Sequence, residues 1–254
     1  MRPLHFSIAV AISCIIFPIF NVQAAAANEV ATQRPVEIHD QLVGRPHDSV
    51  SKRVALTLDA CGGAYDADII NFLVAKKIPA TIFATKKWLD KNPVAINVIK
   101  AHLDLFDVED HGAEHVPAVI GANKRVYGIL GNPDIEHLRN EVTGGADAVY
   151  QAIGVHPHWY RAATAEYDKQ SIEEIQKMGF SIAGFSINSD SGATLNRSAI
   201  LARLKNVQDG DIIIGHMNKP KSDSAEGLIA GITKMIEEGV SFVRLDQSSV
   251  QRIP

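Results

Sequence analysis

Five short stretches of this chain bring together residue types that move protons or hold cations: "TLDACGG" at 57–63, "HGAEH" at 111–115, "RAATAEY" at 161–167, "NSDSG" at 188–192 and "IIGH" at 213–216. His111 and His115 stand four apart, so on a helical turn both imidazoles would project from one side and share a metal ion. Asp110 and Glu114 beside them would lower the cost of binding a cation. Taken alone, such a pair is more often two surface or capping residues. Asp59 closes the run "VALTL", too apolar for an unpaired carboxylate, so it must be paired, hydrogen-bonded, coordinated or placed at a cleft, where it would serve as a base. Gly62 and Gly63 let the backbone turn sharply and approach a ligand closely. Arg161 would orient a carboxylate or substrate through a forked hydrogen bond. His216 follows "III" and a glycine and reads either as a buried, backbone-bonded imidazole or as a catalytic one. Asn188 and Asp190 complete the set.

Each of these residues follows an apolar run, and the runs alternate with amphipathic stretches. "RVALTLD", "PATIFAT", "LDLFDVEDH", "HWYRAA", "FSIAGFSIN", "DIIIGHM" and "VSFVRL" read as strands. "DADIINFLVAKKI", "VAINVIKAH", "DIEHLRNEVTGGADAVYQAIG", "DKQSIEEIQKMG", "NRSAILARLKNV" and "SAEGLIAGITKMIEEG" read as helices. The alternation predicts an α/β fold of parallel strands joined by helical crossovers, either a barrel or an open sheet. In such folds the C-terminal strand ends share one crevice. No fixed-period repeat or low-complexity tract argues for a solenoid or fibre.

The N-terminus has a different character. Arg2 and His5 precede "FSIAVAISCIIFPIF" and then "NVQAAAA", the order of a cleavable signal peptide over residues 1–24. The apolar stretch is broken by Ser7, Ser13 and Pro18 and is short for a span of about 20 residues, so no stable membrane insertion is expected after cleavage. Residues 25–51 read as an extended lead-in with one short strand at Val36–Ile38, leaving residues 52–254 as a single catalytic domain. Export predicts a secreted or periplasmic protein. Of the two cysteines, Cys14 leaves with the signal, so Cys61 is alone in the mature chain and forms no internal disulfide. The formal net charge of −4 offers no basic field for phosphates, so nucleic acid is not an expected partner.

The five motifs, in this order, resemble those of the polysaccharide deacetylases of the NodB-homology carbohydrate esterase family. That family carries T-F-D-D, H-x-x-x-H, R-x-P-Y, D-x-x-D-W and leucine-histidine motifs at the strand ends of a distorted (β/α) barrel. The likeness runs from about Arg53 to Leu245, and its specificity lies in the ordered set. It implies a hydrolase that removes acetyl groups from a polysaccharide such as peptidoglycan, a chitin-like chain or an exopolysaccharide. It also implies a divalent metal held by His111 and His115, zinc with cobalt or nickel as alternatives. Asp59 would be the base, His216 the acid, Arg161 the group holding Asp59, and Asp190 or Asn188 the group steering His216 or Arg161. Ala60 stands where the family has its second aspartate, the usual third metal ligand, so Asp59 itself, or Asp66, Asp68 or Asp110, would take that place. Thr164 occupies the tyrosine position of the arginine motif, and Asn188 opens an aspartate motif without tryptophan.

Two rivals remain open on sequence. Cys61 reads as a thiol nucleophile for acyl transfer or as a small residue shaping its turn. A glycan-binding module on a hydrolase scaffold is the non-enzymatic reading. Sugar platforms would come from Trp159 and Tyr160, with Tyr65 and Trp88 as further candidates, since aromatics make up only 6% of the chain.

Overall fold

The computed structural model describes residues 34–43 and 51–254. The expected signal peptide and most of the lead-in lie outside the described residues. In chain order the described elements are β1 (Val36–Glu37), β2 (Asp40–Val43), β3 (Arg53–Ala60), α1 (Ala67–Lys76), β4 (Ala80–Ala84), α2 (Lys86–Lys91), α3 (Pro93–Lys100), β5 (Phe106–Asp110), β6 (Pro117–Ala118), β7 (Arg125–Val126) and β8 (Ile129–Leu130). There follow α4 (Ile135–Ile153), β9 (Trp159–Tyr160), β10 (Ala163–Tyr167), α5 (Lys169–Lys177), β11 (Ser181–Ile182), β12 (Ile187–Asn188), α6 (Arg197–Leu204), β13 (Ile212–His216), α7 (Ser224–Glu237), β14 (Ser241–Val243) and β15 (Ser249–Arg252).

Eight strands form the main sheet in the order β11-β9-β5-β4-β3-β13-β12, with β14 also paired to β3. Its pairings are all parallel. The sheet curls into an incomplete barrel, as the strand–helix alternation predicts, with helices outside.

Side-chain parity along these strands decides what reaches the interior, because successive residues point to opposite faces. On β3, Val54, Leu56, Leu58 and Ala60 join the large core between sheet and helices, together with Ile69, Ile70 and Leu73 of α1 and Ile213 of β13. Ala55 faces inward with Phe83, Phe185, Ile212 and Ile214. Thr57 and Asp59 share that inner parity. Both faces of β3 are therefore covered, which explains the unbroken apolar run. Each fully buried Leu or Ile stabilises the fold by about 1.5–3 kcal/mol relative to exposure.

The elements depart from the sequence expectation where local hydrogen bonding wins. The short helix α2 was not anticipated: Thr85 caps it through Oγ1, which accepts the Trp88 N–H at 3.0 Å, and Pro93 opens α3 at a position where its missing N–H costs nothing. "FSIAGFSIN" splits into β11 and β12 because the Ala183 and Gly184 carbonyls accept from the Arg161 guanidinium and the Gly184 N–H donates to Asp40 Oδ2 at 2.7 Å. Residues 34–43 belong to the same compact unit as the remainder of the described chain, with β1 pairing β10 and β2 pairing β15.

Candidate active site

The C-terminal ends of β3, β5 and β13 open onto a cavity of about 630 Å³ whose lining includes Asp59, Cys61, His111, His115 and His216. Asp59 and His216 are directly opposed in the register of β3 and β13. The ends of β3, β5, β9 and β13 bring the carboxylate, the arginine and the three imidazoles together.

Arg161, fully buried, holds Asp59 in place. Its Nη1 donates to Asp59 Oδ1 at 2.8 Å and to Thr57 Oγ1 at 2.9 Å, and its Nη2 donates to the Gly184 carbonyl at 3.0 Å. The guanidinium carbon lies 4.2 Å from the centre of the Phe83 ring, a cation–π contact that compensates for lost water. Burial raises the Asp59 carboxyl, and the charges of Arg161, His111 and His216 outweigh it, so the group sits below the usual carboxylate range and is ionised at neutral pH.

His216 is fixed from the opposite side. Its Nδ1 lies 2.8 Å from Asp190 Oδ1, and its backbone N–H donates to Asp190 Oδ2 at 2.9 Å. Ser224 Oγ also donates to Asp190 Oδ2, at 2.8 Å. Burial lowers the imidazole, but the Asp190 hydrogen bond and the nearby Cys61 lift it well above its ordinary value, which favours the protonated form. Asn188 does not share this work: its Oδ1 accepts the Ser191 N–H at 2.9 Å, and it steers neither His216 nor Arg161.

His111 donates from Nδ1 to the Arg161 carbonyl at 2.6 Å, so Nε2 is the ring nitrogen turned to the cavity. Nε2 lies 3.4 Å from Cys61 Sγ and 3.6 Å from Asp59 Oδ2. The His115 ring sits 4.9 Å away, centre to centre. No helical turn joins the two histidines. The 111–115 segment is a loop, with Gly112 at φ +86° and His115 at φ +64°. A buried carboxylate on α4 holds it: Glu141 accepts the N–H groups of Glu114 at 2.9 Å and Val116 at 2.9 Å. Gly145, one turn further along α4, makes that approach possible, because a Cβ there would lie 2.1 Å from Asp110 Oδ1 and 2.6 Å from the Gly112 carbonyl carbon.

Cys61 Sγ and one ring nitrogen each of His111 and His115 lie within 4.8 Å of one another, a donor set of the kind that holds a transition-metal ion. Burial pushes the thiol up, yet the charge and hydrogen bond of His111, with hydrogen bonds from His115 and His216, take it well below the ordinary thiol range. The carboxylates proposed as substitutes for the missing aspartate are elsewhere. Asp110 points to the outer face, accepting the Gly112 N–H at 2.7 Å beside α4. Asp66 caps α1, and Asp68 is exposed on that helix. Glu114 is exposed and paired with Lys87 at 3.0 Å, not turned to the site.

Four expected substrate contacts need correction. Tyr160 has outer-face parity and is fully buried with Leu138 and Val142 of α4. Trp159 is half-buried against the inward-facing group of Ala55, Phe83 and Phe185 and does not line the cavity. Gly62 and Gly63 serve a loop–loop contact instead: Asn218 Nδ2 donates to the Gly62 carbonyl at 2.6 Å, and a Cβ on Gly63, at φ +89°, would lie 2.7 Å from the Asn218 carbonyl. Trp88 is fully buried, and Tyr65 packs edge-on against it at 6.4 Å. The exposed aromatic at the rim is Tyr127, 77% accessible, on the β7–β8 hairpin with Ile129. Nothing in the local sequence marks this hairpin as part of the site. Thr164 and Ala165 also line the cavity, with consecutive positive φ values of +69° and +55°, a strain tolerated where function over-determines the backbone.

A parallel half-barrel carrying an arginine-held carboxylate, an aspartate-held imidazole and two further histidines at its strand ends defines the class: a hydrolase with acid–base machinery. The chain belongs to the polysaccharide deacetylase family, whose sequence model matches residues 47–183, and with it to the hydrolases acting on carbon–nitrogen amide bonds. That match ends before Asp190 and His216, which the fold brings back to the site. No curated protein matches the sequence significantly. Among solved structures, a family 4 carbohydrate esterase pseudoenzyme from Bacillus anthracis is similar at TM-score 0.63 and 18% identity, covering 85% of this chain and 70% of that one. The peptidoglycan deacetylase PdaC from Bacillus subtilis, as a mutant, is similar at TM-score 0.62 and 20% identity over 78% of this chain and 90% of that one. A family 4 carbohydrate esterase from Streptomyces lividans, in complex with acetate, is similar at TM-score 0.61 and 17% identity over 76% and 93%.

Proposed function

We propose that this protein is an exported, metal-dependent deacetylase that removes acetyl groups from an acetylated glycan, with peptidoglycan, chitin-like chains and exopolysaccharide as the substrate classes. The observation that carries this reading is the opposition of Asp59 and His216 across one strand pair, each already held by its own buried partner, over a cavity lined by His111 and His115. A binding module needs no such ionised base facing a protonated acid. The names of similar structures point to peptidoglycan and carbohydrate esters, and the N-terminal signal pattern supports export.

His111 and His115, with a third donor from the turn after Asp59, would hold the cation. When bound, a divalent ion polarises the acetyl carbonyl and acidifies the attacking water. Asp59, kept ionised by Arg161, accepts the water proton through the carboxylate oxygen that Arg161 does not occupy. Thr164, at the tyrosine position of the arginine motif, lines the cavity, where its backbone N–H would serve the developing oxyanion. His216, oriented through Nδ1 by Asp190, delivers a proton from Nε2 to the departing amine. Tyr127 and Ile129 at the rim offer an apolar platform for a sugar ring.

The test is acetate release by the purified protein from acetylated chitooligosaccharides and peptidoglycan, with added zinc, cobalt or nickel. Glycan binding without acetate release under every metal would replace this reading with the non-catalytic one, which Ala60 and the pseudoenzyme among the similar structures favour. Activity lost to iodoacetamide and kept with chelator would favour a Cys61 nucleophile.

A further inference from the structure

We propose that Cys61 supplies, as a thiolate, the third protein ligand beside His111 and His115, in place of the carboxylate that the family carries one residue earlier, and that it thereby makes the site selective for zinc-class ions. This rests on the metal-dependent reading above and narrows it to one ligand set and one class of ion.

Strand parity makes the first argument. Asp59 and Cys61 are two apart at the end of β3, so both turn toward the barrel interior, whereas residue 60 turns toward the helices. Ala60 is fully buried in the outer core with Leu58 and Ile82. A carboxylate at position 60 of this backbone would be buried in apolar surroundings, not delivered to His111 and His115. The ligand has moved one residue along the chain, and its chemistry has changed with the move.

Geometry makes the second. Cys61 Sγ and the two histidines form the compact donor group, within 4.8 Å, and Asp59 is not a member of it. Asp59 Oδ1 is taken by Arg161 at 2.8 Å, and its Oδ2 stays 3.6 Å from His111 Nε2. Asp59 is thus left for proton transfer, and the thiol takes the coordinating role. His111 already has Nδ1 committed to a carbonyl, the outer contact that fixes the tautomer of a ligating imidazole.

The consequence is selectivity. Thiolate and imidazole together suit zinc and its spectroscopic substitute cobalt(II), whereas magnesium and manganese prefer carboxylate, carbonyl and water oxygen. Binding releases to solvent the proton that the Cys61–His111 pair holds as the sulfur–metal and nitrogen–metal bonds form, so charge and atoms balance.

The experiment is a cobalt(II) titration of the purified, metal-free protein, followed by absorption and by competition with zinc. The expected result is a near-ultraviolet sulfur-to-cobalt charge-transfer band together with visible d–d bands. Cys61→Ser removes the charge-transfer band and weakens zinc by more than the roughly 10–100-fold that losing an outer contact costs. Cys61→Asp keeps a cation site without the sulfur band and gains manganese. Ala60→Asp does not raise zinc affinity. Cobalt binding with d–d bands but no sulfur band, and Cys61→Ser holding zinc as tightly as the parent, would overturn the Cys61 assignment and leave the metal-dependent reading standing. Failure to bind cobalt or zinc at all would overturn both. The wild-type spectrum decides even where a variant fails to fold.

Discussion

At the residue scale, two pairs divide the labour. Asp59→Asn keeps the shape of the site and removes its base, so acetate release should fall by about 10²–10⁴-fold while metal content stays at the wild-type level. Asp190→Asn has a different signature. Its carboxylate raises the His216 pKa, so its loss lowers that value, and the basic limb of the kcat/KM–pH profile should move to lower pH. An unmoved limb would deny His216 the role of acid. Arg161→Met leaves Asp59 buried without its counter-charge, which should cost about 3–5 kcal/mol in urea unfolding as well as activity. Asp59, Arg161 and His216 were legible in the sequence because each follows an apolar run, where burial without a purpose is expensive, and His111 and His115 because they stand four apart. Cys61 was harder to place, since a thiol is equally at home in a core, a turn or a site. Its parity with Asp59 was the available signal, and the same parity would have removed Tyr160 and Asp110.

At the element scale, the histidine loop depends on α4. The spacing of His111 and His115 suggested a helical turn, but Gly112 breaks it and the Glu141 carboxylate takes up the amides that a helix would have bonded internally. Long-range support of this kind leaves no trace in a window of local sequence. Gly145→Ala would press a methyl group against Asp110 and Gly112. The expected outcome is a loss of about 1–3 kcal/mol by overpacking, with weakened zinc binding measured by competition, although residue 145 touches neither histidine. Loss of stability with zinc affinity unchanged would show that the loop does not rely on its contact with the helix. The two-residue strand β11 shows the same lesson, because it ends where Arg161 and Asp40 capture the backbone groups of Ala183 and Gly184.

At the scale of the whole molecule, two sets of buried carboxyls give the stability curve its shape. Asp59, Asp168 and Asp190 have depressed folded-state pKa values, so their contribution is present above about pH 4, the unfolded value, and is lost as pH falls through the folded ones. Glu109 behaves oppositely: burial first and the Asp107 charge second hold it up to about 9, while the unfolded side chain ionises near 4.5. Between those values the native state keeps a proton that the unfolded chain has released, so stability declines as pH rises. Glu109→Gln should therefore flatten the decline of the urea midpoint between about pH 4.5 and about 9, and an unchanged slope would remove Glu109 as its source.

The sequence by itself determined the class of fold and the order of the motif residues, because strand–helix alternation and polar groups at the ends of apolar runs are local patterns that one chain states directly, and the ordered motif set carried the resemblance to the family. Only the tertiary structure decided which donors share a face, that Glu141 and Gly145 seat the histidine loop, that residues 34–43 join the domain, and that Tyr127 rather than Trp159 or Tyr160 stands at the rim. Those outcomes depend on curvature, register and contacts between segments far apart in the chain, which no local pattern encodes.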